Sequence, residues 1–144
     1  MPILTGDTTV VTQAVVDLLL ANPQLGWKEV LYGDIDRVPK TPTICVESGS
    51  IELDWPPSPS FWTEHTFTVY AMCYFCKIVE QAQLKKEADA FAEAVRDVIH
   101  ENKTLNDIVI HGNVTLMEPG IARRGGAKLR ATRLTIRYIS KLHI

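Results

Sequence analysis

Cys73 and Cys76 are separated by two residues, the spacing at which paired thiols hold zinc or cycle as a redox disulfide. A four-ligand zinc site needs a second pair, and Cys45 is the one other cysteine. A redox pair belongs at a helix N-terminus, whereas Cys73 falls within a strand-like run. Packed, reduced thiols are therefore the reading these residues favour, and three cysteines fit a reducing compartment. His65, His100, His111 and His143 are the candidates for a general base. No two share a helix face, and none has an acid in a recognisable partner position. Asp34 and Asp36 flank Ile35, which puts both carboxylates on one strand face, but no further oxygen ligand lies nearby and a solvated turn is the expectation. No phosphate-cradling glycine motif, nucleophile elbow or zinc-protease helix occurs. Gly125-Gly126 is followed by no helix, so it reads as turn chemistry. These residue types predict no catalytic centre, no metal and no cofactor.

Charge is distributed unevenly. All 17 acidic residues lie at or before Glu118, and residues 1–120 sum to −9. Residues 121–144 carry Arg123, Arg124, Lys128, Arg130, Arg133, Arg137 and Lys141 without an acid, a local +7 within a net charge of −2. An acidic body with a basic end suits nucleic acid or a second copy of the chain. The plainer alternative is a basic edge strand paired with acids of its own fold.

Two segments have the composition of contact surfaces. Trp55, Phe61 and Trp62 surround a loop with three prolines in four positions, and stiff aromatic loops are enriched at interfaces. They could equally fold back over a sheet edge. Glu118 to Lys128 reads as a hairpin connection of about ten residues, longer than usual. Its tip bears Arg123, Arg124 and two glycines, which predicts an arm reaching a partner.

The elements that must position these residues follow from periodicity. Asp7, Thr8 or Thr9 can cap a helix with Val11, Val15, Leu18 and Leu19 on one face, ended by Asn22-Pro23. Gly26 to Lys40 reads as a turn-rich link. Thr43 to Leu53 is a strand in which Gly49 marks a bend. Thr63 to Phe75 is the clearest strand, with Phe67, Val69, Ala71, Cys73 and Phe75 alternating against Thr66, Thr68, Tyr70, Met72 and Tyr74. Ile78 to Glu101 is an amphipathic helix striped by Leu84, Ala88, Phe91, Val95 and Val98. Ile108–Ile110 and Val114–Met117 are strand-like, and Lys128 to Ile139 closes the chain as a strand. The order helix, two strands, helix, two strands predicts a single α+β domain over residues 1–144, with both helices on a mainly antiparallel sheet.

The chain's 144 residues are 46% hydrophobic and 22% charged, ordinary for a globular domain and unlike a disordered chain or a coiled coil. No apolar run approaches the ~20 residues that span a bilayer. The first residues lack the basic start and apolar core of a secretory signal, so synthesis in the cytoplasm and no membrane partner are expected.

With these elements assigned, the chain resembles the tail terminator (tail completion) proteins of long-tailed bacteriophages. The resemblance rests on the helix Thr8–Leu20, the strand His65–Phe75, the helix Ala82–Ile99 and the strand Leu129–Tyr138. It covers nearly the whole chain as a pattern of elements and sizes. It implies a non-enzymatic virion protein at the head-proximal end of the tail, made in the host cytoplasm. Such proteins form a hexameric ring that caps the tail tube, stops its polymerisation and receives the head connector or stopper protein, while DNA passes through the lumen without specific recognition. On that reading Arg133 and Arg137 approach acids of the adjacent subunit, and Trp55, Phe61, Trp62, Arg123 and Arg124 face tube, connector or lumen. Another head-tail neck component, or a nucleic-acid-binding module using the basic C-terminal strand, is the alternative.

Overall fold

A computed structural model describes residues 8–22, 27, 29–34, 41–53, 62–77, 80–105 and 108–143, excluding the side chains of 53, 62–64, 127 and 140–143. The elements are α1 (Thr8–Ala21), β1 (Glu29–Tyr32), β2 (Thr43–Leu53), β3 (Trp62–Phe75), α2 (Gln81–Glu101), β4 (His111–Arg124) and β5 (Ala127–His143). The α+β class read from periodicity holds, with two helices and one five-stranded sheet ordered β1-β2-β3-β5-β4. β1 runs parallel to β2, and the other pairings are antiparallel.

Three expectations need correction. The link between Gly26 and Lys40 contains strand β1, which is only four residues long and too short to show an alternation. The ten-residue connection after Glu118 does not exist. β4 continues to Arg124, and Gly125-Gly126 turns the chain directly into β5, with φ of 60° and 82°. Both residues have the positive φ that a two-residue hairpin turn requires, and glycine supplies it without steric cost. Pro119 and Gly120 mimic a loop in the sequence but lie in β4, and only an edge strand readily admits a proline. Finally, β5 is not an edge strand: it lies between β3 and β4.

Both helices cover the same face of the sheet. α1 lies over β1, β2 and part of β3, while α2 lies over β3, β4 and β5. Val11, Val15 and Leu19 of α1 and Phe91, Val95, Val98 and Ile99 of α2 meet Ile44, Val46, Phe67, Val69, Ala71, Leu134, Ile136 and Tyr138 in one core. Each buried Val, Leu, Ile or Phe among them contributes about 1.5–3 kcal/mol by leaving water. Thr12, although polar, is fully buried in α1 because its hydroxyl bonds Ser48 Oγ of β2 at 2.7 Å. The carbonyl of Leu19, one of the last in α1, accepts the indole N–H of buried Trp27 at 3.1 Å. Trp27 in turn packs against Phe91, ring centroids 6.1 Å apart, joining the two helices.

Candidate functional site

The sheet face away from the helices is the surface most available to a partner. Side-chain alternation fixes what it displays. Register pairs Tyr70 with Thr135, Met72 with Arg133, and Thr68 with Arg137 across β3 and β5. It pairs Glu118 with Arg133, Leu116 with Thr135, and Asn113 with Arg137 across β4 and β5. Paired residues point to one side, and this side is opposite that of the core residues Phe67, Val69, Leu134 and Ile136. Arg133, Arg137, Glu118 and Leu116 are exposed there, Leu116 at 50%.

One end of this face is closed by a cluster of interacting side chains. Cys45, Tyr74, Leu129 and Ala131 form a second, smaller buried group. Over it, Asp34 accepts the Tyr74 hydroxyl at 2.7 Å and the Arg124 guanidinium at 2.8 Å. The Arg124 guanidinium carbon also lies 5.4 Å from the Tyr74 ring centre. Asp34 follows β1 directly, where the Gly33 N–H bonds the Val46 carbonyl at 2.7 Å. The cluster therefore ties the end of β1 to β3 and to the tip of the β4–β5 hairpin. Burial, then the hydrogen bond to Asp34, raises the Tyr74 phenol above its ordinary pKa. Burial pushes the Cys45 thiol up to about 12, with the Asp34 charge adding to it. These two groups are accordingly neutral packing elements at neutral pH and poor nucleophiles.

Farther along the face, Arg133 bonds Glu118 at 2.8 Å and lies 5.0 Å from the Tyr70 ring centre. The bond to Glu118 raises the pKa of Arg133. Both ends of the pair are about half exposed, so its stability contribution is small. No ion pair to Arg137 or Arg123 is present among the described residues.

The structure thus separates the residues singled out in the sequence. Arg124 is bound to Asp34, and Arg133 has an acid within its own fold. Arg137 is exposed on β5, and Arg123 is exposed beside the hairpin tip. Trp55 and Phe61 lie outside the described residues, as does the side chain of Trp62, whose backbone opens β3. Asp36 also lies outside them. Asp34 is exposed, as the expected turn residue would be, but its carboxylate is also the acceptor that joins β1, β3 and β4. Nothing in the sequence flags this role, since its partners are 40 and 90 positions away.

The remaining chemical candidates do not converge. Cys73 is buried and raised in pKa by that burial, while Cys76 is exposed beyond β3. His65 is buried against Phe67, at 6.2 Å between ring centres. His100 Nε2 accepts the Val114 N–H at 3.1 Å, which requires that nitrogen to be unprotonated. His111 shares a 2.8 Å hydrogen bond with Asn113, and the side chain of His143 lies outside the described residues. Among the described residues no three His, Cys, Asp or Glu side chains are grouped to hold a metal ion. No helix described is long and apolar enough to cross a membrane. No protein-family model matches the chain, and no curated protein matches it either.

Proposed function

We propose that this chain is a structural, non-enzymatic subunit of a phage tail terminator. It assembles as a hexameric ring on the tail tube, ends tube polymerisation and offers a surface to the head-tail connector or stopper protein, with DNA passing through the lumen. The observation that carries the reading is the one-sided layering of the domain. Helices cover one sheet face, while the other leaves Arg133, Arg137, Tyr70 and Leu116 accessible. On the outer surface of the helix layer, Glu93 and Glu101 of α2 are exposed, while Asp97 is paired with Arg96 at 3.0 Å. Arg137 on the open sheet face and Glu93 and Glu101 on α2 supply two different patches of opposite charge, as a cyclic heterologous interface needs. The resemblance to tail terminators rests on α1, β3, α2 and β5, and β1 is an addition to the order helix, two strands, helix, two strands.

Arg137 is the residue proposed to meet an acid of the adjacent subunit. Arg133 joins it only by sharing or exchanging Glu118. Trp55, Phe61 and Trp62 are proposed contacts with tube or connector, and Arg123, exposed at the hairpin tip, is a proposed contact with the adjacent subunit. Arg124 leaves that set, because its charge is engaged by Asp34. The nucleic-acid reading loses support for the same reason: two of its cations already face carboxylates. Polymerisation of the cognate tube protein with and without this chain tests the proposal. Tubes that stop growing and carry a terminal ring are the expected result. Unchanged growth with no bound chain contradicts it.

A further inference from the structure

The β4–β5 hairpin and the helix layer place a basic knob and an acidic cleft at opposite ends of the molecule. At the hairpin tip, Ile121 pairs in register with Arg130 and Arg123 with Lys128, so the four side chains lie on one side of the ribbon. Ile121 is 54% exposed, and Arg123 and Lys128 are exposed beside it. Residues 119–130 contain no acid. Arg124, on the other side of the ribbon, is held by Asp34 and so fixes the tip in place.

At the opposite end, α1, the C-terminus of α2 and the chain after it enclose a cleft of about 720 Å³. Leu18, Leu105 and Ile108 give it apolar walls, and Asp17 and Glu101 stand at it as exposed acids. The last carbonyls of α2 add partial negative charge there. Among the described residues, Lys103 is the one cationic side chain lining the cleft other than His100, whose Nε2 is occupied as an acceptor of the Val114 N–H. Exposed Leu20 and Ile110, at 55% and 50%, extend the apolar surface of the same end of the domain.

From Val114, which bonds His100 beside the cleft, to Arg124 the strand runs for ten residues, or roughly 30 Å at about 3.3 Å per residue. No copy can therefore insert its tip into its own cleft. We infer that the hairpin tip of one copy docks in the α1–α2 cleft of the next, with Ile121 against Leu18 and Ile108 and with Arg123 and Lys128 toward Asp17 and Glu101. The occupant is a second copy of this chain. Charge opposes charge, an exposed isoleucine meets an apolar wall, and the contact is head-to-tail, the kind that closes into a ring. The inference rests on the ring reading above and adds a second contact between neighbouring copies to the one proposed for Arg137.

Charge reversal in the full-length protein tests it. Arg123→Glu/Lys128→Glu gives a chain acidic at both patches, and Asp17→Lys/Glu101→Lys gives one basic at both. All four positions are exposed, and unfolding midpoints verify that the variants fold. In sedimentation at low ionic strength the wild-type chain self-associates, and each reversed variant alone associates at least about tenfold more weakly. An equimolar mixture of the two variants recovers association, because a basic tip on one variant then finds the acidic cleft of the other, and the reverse holds for the swapped pair. The neutral pair Arg123→Gln/Lys128→Gln falls between. Reversed variants that associate like wild type, or a mixture that fails to recover, overturn the docking contact while a ring seen with wild-type chain leaves the ring reading intact. A wild-type chain that stays monomeric at high concentration and low salt also overturns this contact. The ring reading itself fails only if tube growth is unaffected.

Discussion

Asp34 shows how much one carboxylate can organise when its partners are buried. The Tyr74 side chain that donates to it is fully buried, so removing Asp34 leaves the hydroxyl proton without its acceptor. Asp34→Ala should cost about 1–3 kcal/mol in urea unfolding, with an unchanged slope. Arg124→Ala removes only a partly exposed charge and should cost about 1 kcal/mol or less. The opposite ranking would mean that Arg124 contributes beyond its bond to Asp34, through its position over the Tyr74 ring. Cys45 makes a pH prediction of definite sign. Its folded pKa of about 12 lies above the ordinary 9.0, so the fold favours the neutral thiol. The stability this group contributes is complete below pH 9.0 and is lost as pH rises toward about 12. Tyr74 and Tyr138, also raised by burial, act in the same direction above their ordinary 10.0. Urea midpoints measured from neutral pH upward should stay level and then fall. Cys45→Ala should lower the plateau through lost packing and flatten part of the fall.

The β4–β5 hairpin depends on two glycine-dependent features. The first is its turn, with φ of 60° at Gly125 and 82° at Gly126. Replacing both by alanine forces two side chains into left-handed backbone, at roughly 1–2 kcal/mol each. The single change Gly125→Asn should be tolerated, since asparagine followed by glycine suits such a turn. Thermal unfolding of the double-alanine and the asparagine variants separates these outcomes. The second is Gly112, where a methyl group would enter the ring of fully buried Tyr138. Gly112→Ala should destabilise by about 1–3 kcal/mol, and less in a Tyr138→Leu background, where the ring is absent. Elements with long, uninterrupted patterns were legible in the sequence: the boundaries of β2, and the buried faces of β3 and α2, follow the periodicity. β1 was illegible because four residues cannot establish a period. The far half of β4 was illegible because Pro119 and Gly120, tolerated at a sheet edge, imitate a loop. The Asp34 cluster depended on the folded sheet bringing three distant segments together, which no local pattern encodes.

At the scale of the molecule, the sheet has one covered and one open face, and its longest hairpin carries Lys128 and Arg130 beside the N-terminal end of α2. A domain so divided has different surfaces to offer on different sides, which suits an assembly with a neighbour before it, a neighbour behind it and a tube beneath. Interfaces that depend on exposed arginines and carboxylates weaken as salt screens them, so formation of the proposed ring should decline with added salt. Association that is insensitive over a wide salt range would remove charge as its basis. The most direct test of the proposed terminator role is electron microscopy of tails assembled after deletion of this chain from the phage that the proposal assigns it to. Overlong tubes without heads are the predicted result, restored to normal length by supplying the chain. Tails of normal length in its absence would contradict the account.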